Sequence, residues 1–487
     1  MPNLTEVPNW IRDAVFYQIF PDRFATSHRV VKPQNLEPWD SEPTVLGYKG
    51  GDLFGIIEHI DHIEALGANA LYLTPVFRAA SNHRYNTHDF YTVDPLLGGN
   101  QALSELIEAC HRRGIKVILD GVFNHCGRGF FQFNDIVENG RNSPYLDWYH
   151  IHSFPLNAYN PNRGLGYEAW WGLPTLPKFN TQTPAVREFL WNVATYWLNA
   201  GIDGWRLDVP NEIDDDEFWR EFRRRCREVN PDSYLVGEIW EDATRWLQGD
   251  QFDGITNYEF AKAIIGFVGA HSLNLEEIKK CGYRSIPPLT AEAFSAVISN
   301  LSSKYRHEAI NAQLNFIGSH DTPRVLTVLG GDEAAVRLAM LFQMTYLGAP
   351  CIFYGDEIGI EGGHDPYNRV SMPWQNSKIW NRDLLQFVKR LIRLRRDHAA
   401  LRRGAYQELY AKDGLYVFTR VSNSETLTVA LNAGNASTKV EFALTDFPGI
   451  WGGYRDLLGN GRALVKDGFF QGPALPARTG ALYLREK

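Results

Sequence analysis

Short, nearly unbroken apolar runs recur along the chain at Ala14–Phe20, Ala70–Thr74, Lys116–Phe123, Gly204–Val209, Tyr234–Ile239, Gly254–Asn257, Leu314–Gly318 and Cys351–Tyr354. They lack the strict alternation of a half-exposed strand, which is the pattern of parallel strands buried on both faces. Helical periods fill several of the intervals. Leu103, Leu106, Ile107 and Cys110 mark one apolar helix face, and Leu384, Phe387, Val388, Leu391 and Leu394 mark another. Strand–helix units in such a series predict a (β/α)8 TIM barrel of the α/β class. An open doubly wound sheet fits the same alternation, but no GxGxxG turn opens its first helix. The apolar stretch Leu338–Tyr354 is cut by Gly348-Ala349-Pro350, so it reads as a helix and a buried strand rather than a membrane span.

One interval breaks the rhythm. From Phe123 to Gly204 the gap far exceeds the ~30 residues of a βα unit. Residues 124–180, rich in Asn, Pro, Gly and aromatics with little helical period, read as a small inserted domain B on the barrel rim. After His398 the runs Leu415–Val421, Thr426–Leu431 and Lys439–Phe442 alternate like exposed strands. The expected organisation is a barrel in two parts, 1–123 and 181–401, interrupted by the insert 124–180 and followed by an antiparallel β domain over 402–487.

Composition narrows the function classes. Hydrophobic residues at 44% and charged residues at 22% exclude a disordered or fibrous chain. A net charge of −8 gives no electrostatic reason to bind nucleic acid or an anionic membrane. Cys110, Cys126, Cys226, Cys281 and Cys351 show no CxxC spacing, so they read as reduced core thiols rather than a zinc site or disulfide framework. The polar segment Met1–Asp13 lacks the apolar core of a signal peptide. A cytoplasmic protein is expected, with its oligomeric state left open.

The polar residues that interrupt the apolar runs cluster at their C-terminal ends, the face where barrel enzymes do chemistry. They are Asp120, Asn124 and His125 after the third run, Arg206 and Asp208 in the fourth, Glu238 and Trp240 in and after the fifth, and His320 and Asp321 after the seventh. Each acid alone is more readily a helix cap or a solvated loop residue. Four on one rim point to a site. Arg206 and Asp208 are two apart on a strand and share a side, so the guanidinium should lower the Asp208 pKa, as suits a nucleophile. Glu238, between Leu235-Val236-Gly237 and Ile239, is expected in an apolar setting that raises its pKa, as suits a general acid. That pairing predicts retaining glycoside hydrolysis, with Asp321 as a third carboxylate.

At these residues the chain resembles the α-amylase family of glycoside hydrolases. The segments Asp120–His125, Gly204–Asp208, Glu238 and Phe316–Asp321 carry the likeness in order. Leu176–Asn180, Val209-Pro210-Asn211-Glu212, and Gly355–Asp365 with Arg369 and Met372 are similar to its cyclomaltodextrinase, neopullulanase and maltogenic amylase branch. The resemblance implies Asp208 as nucleophile, Glu238 as acid/base and Asp321 as transition-state stabiliser. It implies that Arg206, His125, His320 and Asp120 surround the reacting sugar, that Tyr85 stacks on it and that Trp240 lies toward the acceptor. Asn211, Glu212 and Arg369 complete the implied substrate-binding set.

The implied reaction is hydrolysis of α-1,4 and also α-1,6 glucosidic bonds in cyclodextrins, maltooligosaccharides or pullulan, with transglycosylation. The alternatives are an ordinary α-amylase, α-glucosidase or glucanotransferase of the same family, or a catalytically silent relative, which all three acids argue against. The chain departs from the branch in three places, the first being Pro210 where the branch has Ala in its Val-Ala-Asn-Glu segment. Strand one begins by Ala14, where the branch has an N-terminal β domain. The Asn/Asp-rich calcium loop after strand one is replaced by Ala25–Lys32, leaving Gly51-Asp52. No cofactor is therefore expected to be required. Calcium stays open at Asn124.

Overall fold

The computed structural model describes residues 6–444 and 451–486. Its central sheet contains parallel strands β1 (Phe16–Ile19), β2 (Ala70–Leu73), β3 (Lys116–Gly121), β4 (Gly204–Leu207), β5 (Tyr234–Gly237), β6 (Gly254–Ile255), β7 (Leu314–Phe316) and β8 (Ala349–Phe353). The order is β6-β5-β4-β3-β2-β1-β8-β7. Its two ends meet. Thr256, just past β6, bridges Leu314 of β7 in parallel, and the Asn257 N–H donates to the Leu314 carbonyl at 3.0 Å. Closure makes the expected TIM barrel and removes the free edges.

Every strand residue except the half-exposed Lys116 is buried, which is why the runs do not alternate. Several predicted runs overshoot the strands because the rim beyond them is buried too. Val122 and Phe123 are each 1% exposed although β3 ends at Gly121. The predicted helices are present at Gly99–Arg112 and Arg382–Asp397, with Leu103, Leu106, Leu384, Leu391 and Leu394 turned inward. Leu338–Tyr354 divides as expected into helix Glu333–Thr345 and strand β8.

Two features depart from the expected pattern. An antiparallel hairpin, Phe77–Ala79 with Thr87–Val93, separates β2 from β3 and presents Asn82–Tyr85 at its turn. Within residues 124–180, isolated bridges pair His125 with Lys178, Tyr149 with Phe179, Ile151 with Tyr167 and Ala169 with Pro177. The same segment contains helix Phe131–Asn139, where the sequence shows little helical period. That helix is held by aromatic contacts: Phe133 meets Tyr149 at 5.1 Å and Tyr167 at 4.8 Å.

The C-terminal strands are β9 (Ala405–Lys412), β10 (Leu415–Val421), β11 (Thr426–Asn432), β12 (Thr438–Ala443), β13 (Gly452–Asp456), β14 (Arg462–Lys466), β15 (Phe469–Leu475) and β16 (Thr479–Arg485). They form one antiparallel sheet in the order β9-β10-β11-β16-β13-β14-β15-β12, with its own apolar cluster around Val417, Val440, Phe442 and Phe470. Arg420 of β10 joins this sheet to the barrel, beside the buried Arg395 of helix Arg382–Asp397. Arg420 donates to the carbonyls of Thr345, Tyr346 and Leu401, and Arg395 to those of Met344, Leu401 and Gly348. Burial pushes the Arg395 pKa down to about 9 and that of Arg420 to about 10. Both guanidiniums meet the carbonyl end of helix Glu333–Thr345, where its dipole favours a cation. Among the described residues no helix is long and apolar enough to cross a membrane.

Candidate active site

The hydrogen-bond ladder of the barrel runs past the strand ends and carries the acids with it. The Asp208 N–H donates to the Gly121 carbonyl at 3.0 Å, and the Glu238 N–H to the Leu207 carbonyl at 2.8 Å. His320 and Asp321 stand in a turn after β7 that Ser319 and Thr322 brace, with the Asp321 N–H on the Ser319 Oγ. Immediately after Asp208, Val209 sits at φ +36°, a left-handed conformation costly for a β-branched residue.

Arg206 is the hub. Its Nη1 lies 2.7 Å from Asp120 Oδ1 and 3.0 Å from Asp208 Oδ1. Its Nη2 lies 2.9 Å from Glu238 Oε1 and 4.0 Å from Asp321 Oδ2. Asp120 also accepts from the hydroxyls of Tyr72 and Tyr85, at 2.7 and 2.9 Å. Glu238 accepts from the Val209 N–H and the Trp240 indole, both at 3.2 Å, and from the Tyr258 hydroxyl at 3.3 Å.

These environments correct the expected acidity of Asp208. Burial, and next the charge of Glu238, push the Asp208 pKa well above the carboxylate range, outweighing Arg206. The pull of one guanidinium is divided among several carboxylates, so it cannot hold Asp208 below its ordinary value. Nor is Glu238 in an apolar setting, since Arg206 and three neutral donors surround it. Burial also raises Asp120, and it raises Asp321 to about 7.

His320 is held neutral because burial, then Arg206 and Arg369, push its pKa well below the usual value. The Gln18 amide lies 2.8 Å from its Nδ1. With the amide N–H donating there, the ring hydrogen sits on Nε2, which faces Asp321 Oδ2 at 3.1 Å. His125 is fully buried, its pKa pushed down to about 3, and its Nε2 has no protein partner. Tyr85 stacks on His320 at 5.6 Å, so the hairpin turn reaches the acids.

Of the sequence candidates, Asp120, Arg206, Asp208, Glu238, Asp321, Tyr85 and His320 form one connected cluster. Arg369 joins it, with Nη2 3.8 Å from Asp321 Oδ1 and Nε on the His320 carbonyl. Trp240 lies flat on Tyr258 with ring centres 3.4 Å apart. Asn211 and Glu212 fall outside the cluster. Asn211 is exposed in the turn Pro210–Glu212, and Glu212 pairs with Lys178 of the insert at 3.2 Å.

Sequence reasoning missed Gln18, Tyr72, Tyr258 and Asn368, whose amide holds the His320 carbonyl at 2.8 Å. Gln18 had a signal, as a polar residue inside an apolar strand. Tyr72 and Tyr258 had none, because a tyrosine in an apolar run reads as core.

The loop after β1 does not fit a calcium ion. Asp52 is fully buried and already caps helix Leu53–Glu58, accepting from the Ser27 and Gly55 N–H groups. Its remaining demand is met by Lys32 Nζ at 2.8 Å, which also donates to the Leu96 carbonyl at 3.1 Å. A fixed ammonium beside the carboxylate opposes a dication and leaves too few free oxygens. Among the described residues no group of three or more His, Cys, Asp or Glu side chains is placed to hold a metal ion.

A closed barrel carrying buried carboxylates and a shared arginine at the C-terminal ends of its strands defines a barrel glycoside hydrolase. The chain belongs to the α-amylase family: residues 18–381 match the alpha amylase catalytic domain, and residues 404–459 the alpha-amylase C-terminal domain. A cyclomaltodextrinase of Geobacillus thermopakistaniensis is 43% identical over 454 residues, 92% of this chain and 73% of that protein. Ttha1563 of Thermus thermophilus superposes with a TM-score of 0.94 at 46% identity, covering 98% of this chain and 100% of the other. A debranching enzyme of Nostoc punctiforme gives a TM-score of 0.89 at 45% identity, covering 98% and 99%.

Proposed function

We propose that the protein is a retaining hydrolase of α-1,4 glucosidic bonds, with α-1,6 bonds as a further target, in cyclodextrins, maltooligosaccharides or pullulan, with transglycosylation as a side reaction. The observation that carries this reading is Arg206 bridging Asp208 at 3.0 Å and Glu238 at 2.9 Å, which holds two carboxyl groups at one point of the rim. In the first displacement an Asp208 oxygen attacks the anomeric carbon. The glycosidic C–O bond breaks, and Glu238 gives its proton to the departing oxygen. In the second, Glu238 takes a proton from water, the water oxygen bonds to the anomeric carbon, and Asp208 leaves as carboxylate. When a sugar hydroxyl replaces water, the product is a transglycosylated glucan.

Asp321 and neutral His320 receive and donate hydrogen bonds at the ring hydroxyls, while His125 offers its free Nε2. The buried arginine keeps at least one acid ionised, and the crowded carboxylates keep a proton available for another. Each step is carried by side chains alone. The five cysteines are free thiols, which suits a cytoplasmic enzyme.

The likeness to a debranching enzyme across nearly the whole chain supports a second reading, with α-1,6 bonds as the preferred target. Products from β-cyclodextrin, starch and pullulan, compared side by side, separate the two. Proton NMR of freshly released sugar should show the α-anomer first, and the β-anomer appearing first would refute the mechanism. Asp208→Asn and Glu238→Gln should each lower kcat by several orders of magnitude with unchanged circular dichroism.

A further inference from the structure

The insert supplies many aromatics near the site, and the structure separates those that form its core from those that do not. Tyr149 and Tyr167 are buried, and Trp148 packs among Phe130, Tyr145 and Phe189. Trp170 and Trp171 behave differently. His125, four residues past β3, stacks on Trp170 with ring centres 5.3 Å apart and planes 15° apart. Trp170 in turn stacks on Trp171, at 4.5 Å and 12°. Three nearly parallel rings therefore lead outward from His125, and the last of them is 77% exposed.

That exposure is built into the backbone. Trp171 sits at φ +51° and ψ 22°, a left-handed conformation that a bulky residue rarely adopts. The turn holding it is braced on both sides. The Trp170 N–H donates to the Leu176 carbonyl, the Gly172 N–H to the Ala169 carbonyl, and the Tyr167 hydroxyl to the Pro174 carbonyl at 2.7 Å. Ala169 bridges Pro177, one residue before the Lys178 that bridges His125. A strained, rigidly held, solvent-facing indole has no evident value to the fold. A flat aromatic face does suit the C–H face of a pyranose ring, because it offers large apolar area at little cost in side-chain freedom.

We propose that Trp171 is a stacking platform for a glucose unit removed from the scissile bond. It forms an outer binding position on the rim that favours longer glucan chains. The proposal rests on the function argued above and adds to it a specificity-determining residue outside the acid cluster. Nothing in the ladder requires Trp171 for the chemistry itself, so its effect should depend on the length of the substrate.

The test is kcat/KM on maltotriose and maltoheptaose for the wild-type enzyme, Trp171→Ala and Trp171→Gly. Glycine accepts the positive φ without strain, so Trp171→Gly should keep the wild-type Tm or exceed it. For both variants the maltoheptaose value should fall about tenfold, the size of a ~1.4 kcal/mol contact, with the loss in KM. The maltotriose value should stay within about twofold of wild type. Equal losses on the two sugars, or no loss on either, would overturn the platform while leaving the hydrolase reading intact. A wild-type enzyme that cleaves neither sugar would overturn the hydrolase reading, and the platform with it.

Discussion

Arg206 serves Asp120 at 2.7 Å, Glu238 at 2.9 Å and Asp208 at 3.0 Å, with Asp321 a further step away at 4.0 Å. One positive charge among several buried carboxylates leaves an excess of negative charge, and the raised pKa values of Asp120, Asp208 and Asp321 express it. The acids were legible in the sequence because they break apolar runs at the functional end of a barrel. Their acidities were not, since these depend on how many neighbours share the guanidinium, which strand spacing does not reveal. A stability prediction follows for Asp321. Its folded-state pKa of about 7 lies above the ordinary value near ~4, so between those limits the folded protein holds a proton that the unfolded chain has lost. Stability from this group is complete below that interval and is lost as pH rises through it. Asp321→Asn should therefore raise Tm by several degrees at pH 8 and much less at pH 5. Calorimetry of both proteins at the two pH values checks this, and an equal shift at both would contradict it.

Individual elements show the same division between what pattern reveals and what packing decides. The barrel strands stand where continuous apolar runs placed them, because burial on both faces leaves a clear signal. The hairpin Phe77–Ala79 with Thr87–Val93 left almost none, its strands being short and its register irregular. The loop after β1 lies between these cases. Its cations Arg29 and Lys32 oppose calcium by charge alone, but only the structure sorts them. Arg29 pairs with Glu105 at the surface, whereas Lys32 reaches the buried Asp52. Removing one partner of a buried pair costs about 3–5 kcal/mol. Lys32→Met should accordingly lower Tm by several degrees, while EDTA should leave the wild-type Tm unchanged. Thermal melts of both proteins with and without chelator decide it, and a large drop for the wild type on chelation would restore a structural metal to the fold.

For the whole molecule, the question is what bounds the cleft, since the acids sit at the bottom of a rim whose walls come from distant parts of the chain. One wall is the segment between β1 and helix Leu53–Glu58. It is fastened beside Tyr85, where the Asn82 amide donates to the Val45 and Gly47 carbonyls at 3.0 and 2.8 Å. Arg23 grips the same Gly47 carbonyl at 2.8 Å, and the Trp39 indole reaches the Met372 carbonyl at 2.9 Å. Val45 and Leu46 remain exposed at its tip, an apolar edge next to the turn that carries Tyr85. The second wall is the insert, with Trp170 and Trp171 stacked outward from His125. Walls fixed by hydrogen bonds and stacking limit the width of entry in a way that mobile loops would not, so an unbranched chain or a ring can lie between them whatever its length. A branched, bulky polymer must first fit between them. The expected order of kcat/KM is therefore β-cyclodextrin and maltotriose above soluble starch, measured per mole of reducing end released under one set of conditions. If starch is clearly preferred, these segments do not close the cleft, and the ordinary α-amylase reading replaces the cyclodextrin and oligosaccharide one.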